Sequence, residues 1–317
     1  MTTDERTTAG RLPVGCIAVV CSMRFVNADG RAGLLVGDVV FDVERASSGR
    51  LPADPMDALT GHWDEIAQLA ATGDFDGGVP LAEVRLGPPV PRPPMILSVV
   101  ANFPPRPRSP FPMVVGKSPS AIAGPFDAIV LPDPRRLPLG QAWVIPEPEL
   151  GVVMAAGGRH LPPAQSLEAV AGFVVAQDVT ERAHEFGPAP PPWTWEQLPA
   201  KTLGKSIDTF CPIGPALVSL DEFSHPERLI ERCWINGTLR FEHCAADMCW
   251  SAAELVSLLS AFMTLAPGML CLCGCGGAVD EAPIPFLAPG DEVRTEIEGI
   301  GTMINVCVAE QTDLNRP

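Results

Sequence analysis

The stretch WVIPEPELGVVM, residues 143–154, sets two carboxylates, Glu147 and Glu149, in an apolar run interrupted by Pro146 and Pro148. The apolar half reads as a strand, and prolines, which donate no ladder N–H, fit a strand start or an edge. Strand side chains alternate, so Glu147 and Glu149 point to one face, roughly 7 Å apart along the backbone. Like charges so placed repel unless something neutralises them. Oxygen ligands of this kind suit a hard cation, Mg²⁺ above all, with Mn²⁺ or Ca²⁺ as the other choices. A third ligand must come from elsewhere. Asp178 in FVVAQDVTER, an acid at the end of an apolar strand, is the best candidate. The competing reading leaves both glutamates solvated and has Asp178 cap a turn.

The 317 residues suffice for one large domain, or one domain with a smaller companion. Apolar residues make up 46% of the chain and the mean hydropathy is +0.19, enough for a sizeable core. A net charge of −16 lacks the basic stripe a nucleic-acid partner requires. No apolar run approaches the ~18 residues of a membrane span. The ten cysteines show no disulfide framework, several of them lie in apolar runs, and MTTDERTTAG carries no basic leader. A reducing cytoplasm is the expected compartment.

Residues 15–43 alternate and turn like short antiparallel strands. PMDALTGHWDEIAQLAATG has helical spacing through Met56, Leu59, Trp63, Ile66 and Leu69 and ends at a glycine. With the stiff linker GPPVPRPPM, this predicts a small N-terminal domain over 1–93 and a larger one over 94–317. Two further helices are expected, over 166–172 and 251–265, the second opened by a Ser251/Glu254 capping box and stopped by Pro267-Gly268. The rest reads as strands, giving an α+β protein dominated by a mixed, curled sheet. Two long proline-bearing loops, 101–112 and 184–199, are expected to act as lids, the second carrying Trp193 and Trp195.

EPELGVV, AGFVVAQDVTER, GKSIDTFCPIGP, INGTLRF and DEVRTEIEGIGTMINVCV occur in that order between residues 147 and 308. The run resembles the fumarylacetoacetate hydrolase family, and MRFVNADGRAGLLVGDVVFDVE resembles that family's small N-terminal region more weakly. The resemblance implies a mixed β-sandwich roll, a homodimer, and Mg²⁺ or Mn²⁺ held by Glu147, Glu149 and Asp178. It implies a catalytic role for Lys205, which would orient a water or stabilise a developing enolate; the alternative is a surface ion pair with Asp208. It places Lys117 near the pocket mouth and makes Arg182 a candidate for a substrate carboxylate. Asn102 and Phe103 keep the register of the family's first loop.

Elsewhere the pattern breaks. The family's lid carries a His–Glu pair, but here Arg106 and Ser109 fall at those positions. Arg106 is therefore the catalytic candidate by position, although a guanidinium is no general base and an unpaired serine is not activated. A threonine turn becomes Cys273-Gly274-Cys275-Gly276, and the usual glutamine and threonine become Phe241 and Ala245. Phe241 is thus a substrate-contact candidate, and Cys275 a nucleophile candidate that lacks an identifiable base. Cys271, Cys273 and Cys275 would share one strand face. His160, His184 and His243 are further histidines, each more readily structural or exposed than catalytic.

The expected function is a divalent-metal enzyme acting on a 1,3-dicarbonyl or 2-oxo acid through a metal-stabilised enolate, with C–C bond hydrolysis first. A water-free decarboxylase, tautomerase or cyclase is the alternative, and an inactive ligand-binding homologue is the reading from a different class.

Overall fold

The structure, a computed structural model, describes residues 23–73, 75–105, 108–186, 198–280 and 283–311, with the backbone alone at 185–186 and 198–200. Arg106, Trp193 and Trp195 lie outside the described residues.

The strands Arg24–Ala28, Arg31–Val36 and Val39–Asp42 form an antiparallel meander, as their alternation predicts. Helix Pro55–Thr72 follows. Asp54 caps it, accepting from the N–H groups of Met56 and Asp57, and it ends at a left-handed Gly73. Its buried stripe, including Leu59, Ile66 and Leu69, covers one face of the main sheet.

Among the described residues that sheet has twelve strands. Its centre runs Arg24–Ala28, Cys211–Val218, Val170–Gln177, Pro148–Met154, Leu270–Leu272, Ile96–Val100 and Met113–Lys117. The N-terminal meander joins directly, because Arg24 and Phe25 pair with Val218 and Leu217. The segments expected to form two domains therefore share one continuous sheet. Val170–Gln177 and Pro148–Met154 are buried at every position, so their apolar runs serve two cores at once. Val153 and Val174 face one core, Val152 and Phe173 the other.

A second, five-stranded sheet runs Thr238–Cys244, Ile230–Ile235, Glu292–Ile297, Gly301–Ala309 and Ile129–Leu131. Its inward residues Cys233, Ile235, Phe241, Val293 and Cys307 pack into the core that holds Val153 and Val174. Mixed sheets with few helices match the α+β class read from the sequence.

Two helix expectations need correcting. SLEAVAG is a short 3₁₀ turn, Ser166–Ala169, followed at Val170 by the central strand; β-branched residues and a neighbour on each side override its weak helical spacing. The capping box at Ser251/Glu254 is present, but the helix is Ala252–Phe262 and stops before Pro267, because Met263 is already extended.

Strand Ile230–Ile235 brings an acid into the inter-sheet core. Its buried positions are Glu231, Cys233 and Ile235, and no side chain among the described residues hydrogen-bonds either Glu231 oxygen. Burial pushes this carboxyl up to about 8, the Leu150 backbone offsetting part of the effect. Between about pH 4.5 and 8 the folded chain keeps a proton that the unfolded chain has lost. Stability must therefore fall as pH rises through that window, by at most about 1.4 kcal/mol per unit. Glu231→Gln should gain stability relative to wild type at pH 8.5 and little at pH 5.5, measured by thermal unfolding with Mn²⁺ present. A difference independent of pH would show that Glu231 is not held neutral.

Candidate metal centre

The antiparallel register places the acids. Pro148 pairs with Gln177 and Glu149 with Ala176, so Glu147, just before one strand, comes opposite Asp178, just after the other. The Asp178 N–H donates to the Glu147 carbonyl at 2.8 Å and locks this meeting. One oxygen from each of Glu147, Glu149 and Asp178 lies within 4.8 Å of the others. Glu149 and Asp178 are buried and Glu147 is half-buried.

Two ammonium groups stand against these acids. Lys205, at the end of helix Leu198–Lys205, donates to Glu147 Oε2 at 2.8 Å, to Thr180 Oγ1 at 2.9 Å, and in a short contact to Asp178 Oδ2. Its partners are these groups and not Asp208, the alternative open from the sequence. Lys117 donates to Asp178 Oδ1 at 2.5 Å and to the carbonyls of Val179 and Phe210 at 3.1 and 2.7 Å. All three of its protons are committed and its side chain is fully buried. Its ammonium is thereby fixed against Asp178. Arg182 Nη1 lies 3.5 Å from Glu147 Oε1 on the more exposed side.

The acids divide by surroundings. Burial would raise Asp178, but Lys117 and Lys205 overcome it and hold the carboxylate ionised. Burial also opposes ionisation of Glu147, and Lys205 and Arg182 hold it below its ordinary value. Among the described residues Glu149 has no ion pair; burial, then Asp178, push it well above the usual range, and the charge of Lys205 with an N–H from Gly274 at 2.5 Å oppose them only in part. Lys205 is held charged, because Asp178 and Glu147 outweigh its burial. Three hard oxygen donors, one of them lacking a counter-charge, fit a divalent cation.

Several residues near the acids are held as framework. Asn102 donates to the carbonyls of Trp250 and Cys273 at 2.9 and 2.7 Å and accepts from the Trp250 N–H at 2.8 Å, so its side chain is spent in tying the first loop to the 273–276 turn. Gly274 has φ +97, and a Cβ there would lie 2.7 Å from Asn102 Cβ and from the Val99 carbonyl. Only glycine lets the chain turn here and aim its N–H at Glu149. Phe241 is buried in the inter-sheet core. The three thiols do not share a face: Cys271 and Cys273 enter the opposite core, while Cys275 packs beside the inter-sheet one. Burial, then Glu147 and Glu149, push the Cys275 thiol well above its ordinary value, which opposes a nucleophilic thiolate. Ser109 is exposed and donates to the Phe111 carbonyl.

Sequence reasoning missed Ser98, which donates to Asp178 Oδ2 at 2.5 Å, and Thr180. A polar residue in the apolar run MILSVV was the available signal for the first. It also missed Arg108, whose guanidinium lies 3.9 Å over the Trp250 ring and donates to Glu254 at 2.9 Å. Glu181 went unread as well. It accepts from the N–H groups of Trp143 and Ala183 at 3.0 and 2.8 Å, and its Oε2 lies 2.7 Å from His184 Nδ1.

Lys205 reaches the acids because Gly204 lets its helix touch the chain after Asp178. A Cβ on Gly204 would lie 2.4 Å from the Glu181 carbonyl oxygen. Gly204→Ala should force the helix outward and cost about 1–3 kcal/mol in denaturant unfolding, as overpacking against backbone does. An unchanged midpoint would show that the contact does not constrain the helix.

The fumarylacetoacetate (FAA) hydrolase C-terminal family model matches residues 97–308. A Bos taurus protein named oxaloacetate tautomerase FAHD2B, mitochondrial, is 37% identical over 242 residues, covering 73% of this chain and 71% of its own length. Maleylpyruvate hydrolase from Sphingobium sp. SYK-6, solved with manganese(II) and pyruvate, superposes with a TM-score of 0.73 at 25% identity, over 91% of this chain and all of that one. Fumarylacetoacetate hydrolase from Exiguobacterium antarcticum gives 0.71 at 27% identity, over 92% and 100%. With the family model matched over most of the chain and a relative 37% identical over 73% of it, this protein belongs to the fumarylacetoacetate hydrolase family.

Proposed function

We propose that this chain is a divalent-metal-dependent enzyme that shifts protons on a small 2-oxo acid, a keto–enol tautomerase for an oxaloacetate-like dicarboxylate. The carrying observation is that Glu147, Glu149, Asp178 and Lys205 are gathered in one place while the sequence has arginine and serine where the family's lid dyad stands. The name of the bovine relative supports the same substrate class. C–C hydrolysis, placed first on the sequence, becomes the second reading; the maleylpyruvate hydrolase likeness favours it.

Glu147, Glu149 and Asp178 would hold Mg²⁺ or Mn²⁺. The cation would supply a charge for two substrate oxygens to chelate. Lys117, Lys205 and Arg182 together match the three acids in charge, so a bound divalent cation leaves two positive charges for a dianion. Lys205 stays an ammonium fixed between Glu147 and Asp178, placed to meet negative charge as it develops on a substrate oxygen. Lys117 fixes Asp178 from behind, and half-buried Arg182 is placed for a substrate carboxylate. An inactive binder would have no use for an ammonium held by three acceptors next to the cation. A homodimer in a reducing cytoplasm completes the reading; all eight described cysteines are free, and no described helix is long and apolar enough to cross a membrane.

The test follows ultraviolet absorbance of enolic oxaloacetate with Mn²⁺, with product masses read in parallel. Wild type should speed loss of the enol with mass conserved; decay at the buffer rate overturns the proposal, and two fragments would favour hydrolysis. Glu149→Ala should abolish Mn²⁺ binding in calorimetry. Lys205→Met should keep Mn²⁺ binding, since it removes a competing charge, and lose about 100-fold or more in rate.

A further inference from the structure

A tautomerase needs a group that accepts a proton near neutral pH. Lys205 is locked as a cation, Ser109 is exposed, and the Cys275 thiol keeps its proton. Among the described residues, His243 is a histidine set against the 273–276 turn, whose Gly274 N–H grips Glu149.

His243 lies on strand Thr238–Cys244, directly opposite Glu231 in register. Residues so paired share a face with Cβ atoms about 4.5–5.5 Å apart, which turns the imidazole toward the inter-sheet core. The Phe103 and Phe241 rings lie 5.3 and 6.0 Å from it, so the first loop and the strand hold the ring from two sides. Its Nε2 is 3.8 Å from Cys275 Sγ, and Cys275 follows the Gly274 whose N–H grips Glu149. The thiol also has the Gly276 carbonyl at 3.4 Å as an acceptor, which leaves the Nε2 contact long and weak. The ring is half-buried and packs on the 273–276 turn, where a Cβ on Gly276 would lie 2.7 Å from it.

We propose that His243 is the acid–base residue of this site, taking a proton from the carbon beside the substrate carbonyl and returning it. This rests on the tautomerase reading. In the ketone-to-enol direction Nε2 accepts the carbon-bound proton, the C–H electron pair becomes the C=C bond, and the carbonyl π pair moves to oxygen. That oxygen then takes a proton from solvent, and the imidazolium gives its own back to solvent; the reverse direction runs these transfers backward. The ring is available as a base at neutral pH. Burial holds it below its ordinary value, and the Glu242 backbone with the charges of Asp247 and Glu242 oppose this only in part. The other titratable groups facing it, Glu231 and Cys275, are held protonated and add no charge.

The test compares wild type with His243→Gln, both loaded with Mn²⁺, following enol decay and deuterium uptake at C3 of pyruvate in D₂O. The variant should lose about 100-fold or more in both rates, with Mn²⁺ affinity unchanged and the acid limb of the rate profile gone. Cys275→Ser should stay within about threefold of wild type, since the thiol is only a neighbour of the ring. A variant with wild-type rates and the same acid limb overturns the assignment while leaving the tautomerase reading standing. A wild type that binds Mn²⁺ but exchanges nothing sinks both. Should His243→Gln fail to fold, carbethoxylation of wild type decides. Rate loss that tracks modification of His243, slowed by oxalate with Mn²⁺, supports the role; full modification without loss refutes it.

Discussion

Three carboxylates with oxygens within 4.8 Å of one another, two of the groups out of water, would if all ionised repel by about 3–4 kcal/mol per pair at an effective dielectric near 20. Most of the architecture around them answers that repulsion. The counter-charges come from far apart in the chain, Lys117 from an outer strand and Lys205 from a helix that closes over the sheet ends. Each ammonium spends all its protons on named acceptors, which makes a buried charge tolerable. Glu149 is the exception, and its need for a partner is what a divalent cation would satisfy.

That arrangement explains why a second large sheet is packed against the first. The centre sits where strands Pro148–Met154 and Val170–Gln177 end, so the acids are rigidly carried yet open on one side. The second sheet closes the core beneath them, and the 273–276 turn ties the first loop to the acids through Asn102 and Glu149. A loop alone would not hold an N–H and a carboxylate in register to this tolerance.

The meeting of Glu147, Glu149 and Asp178 was legible because charge in an apolar strand is anomalous, and the anomaly has few physical resolutions. The hairpins and the two main helices were legible from alternation and capping. Lys117 was visible as a residue but not in its role, since burial of a lysine depends on contacts with Asp178, Val179 and Phe210 that are distant in sequence. The helix read over 166–172 failed for the same reason: neighbouring strands decide the state of SLEAVAG. The linker GPPVPRPPM was legible, but not that the meander before it hydrogen-bonds to Cys211–Val218, more than a hundred residues later, because such pairing leaves no local signal. Asn102, Phe241 and Cys275 were found as positions of interest, yet the first two are consumed in holding the framework.

The departures from the family pattern carry a chemical direction. The charges that would bind an anion and steady a developing oxyanion are all in place, so affinity for an oxo acid need not have changed. What differs is the means of activating water: the lid positions carry an arginine and a serine, and the Lys205 ammonium, pinned between carboxylates, cannot act as a base. A site of this kind still lowers the barrier for moving a proton next to a carbonyl, because that step needs charge stabilisation and one modest base. Attack by water needs in addition an oriented, deprotonated nucleophile, which Mg²⁺ or Mn²⁺ provides poorly compared with zinc.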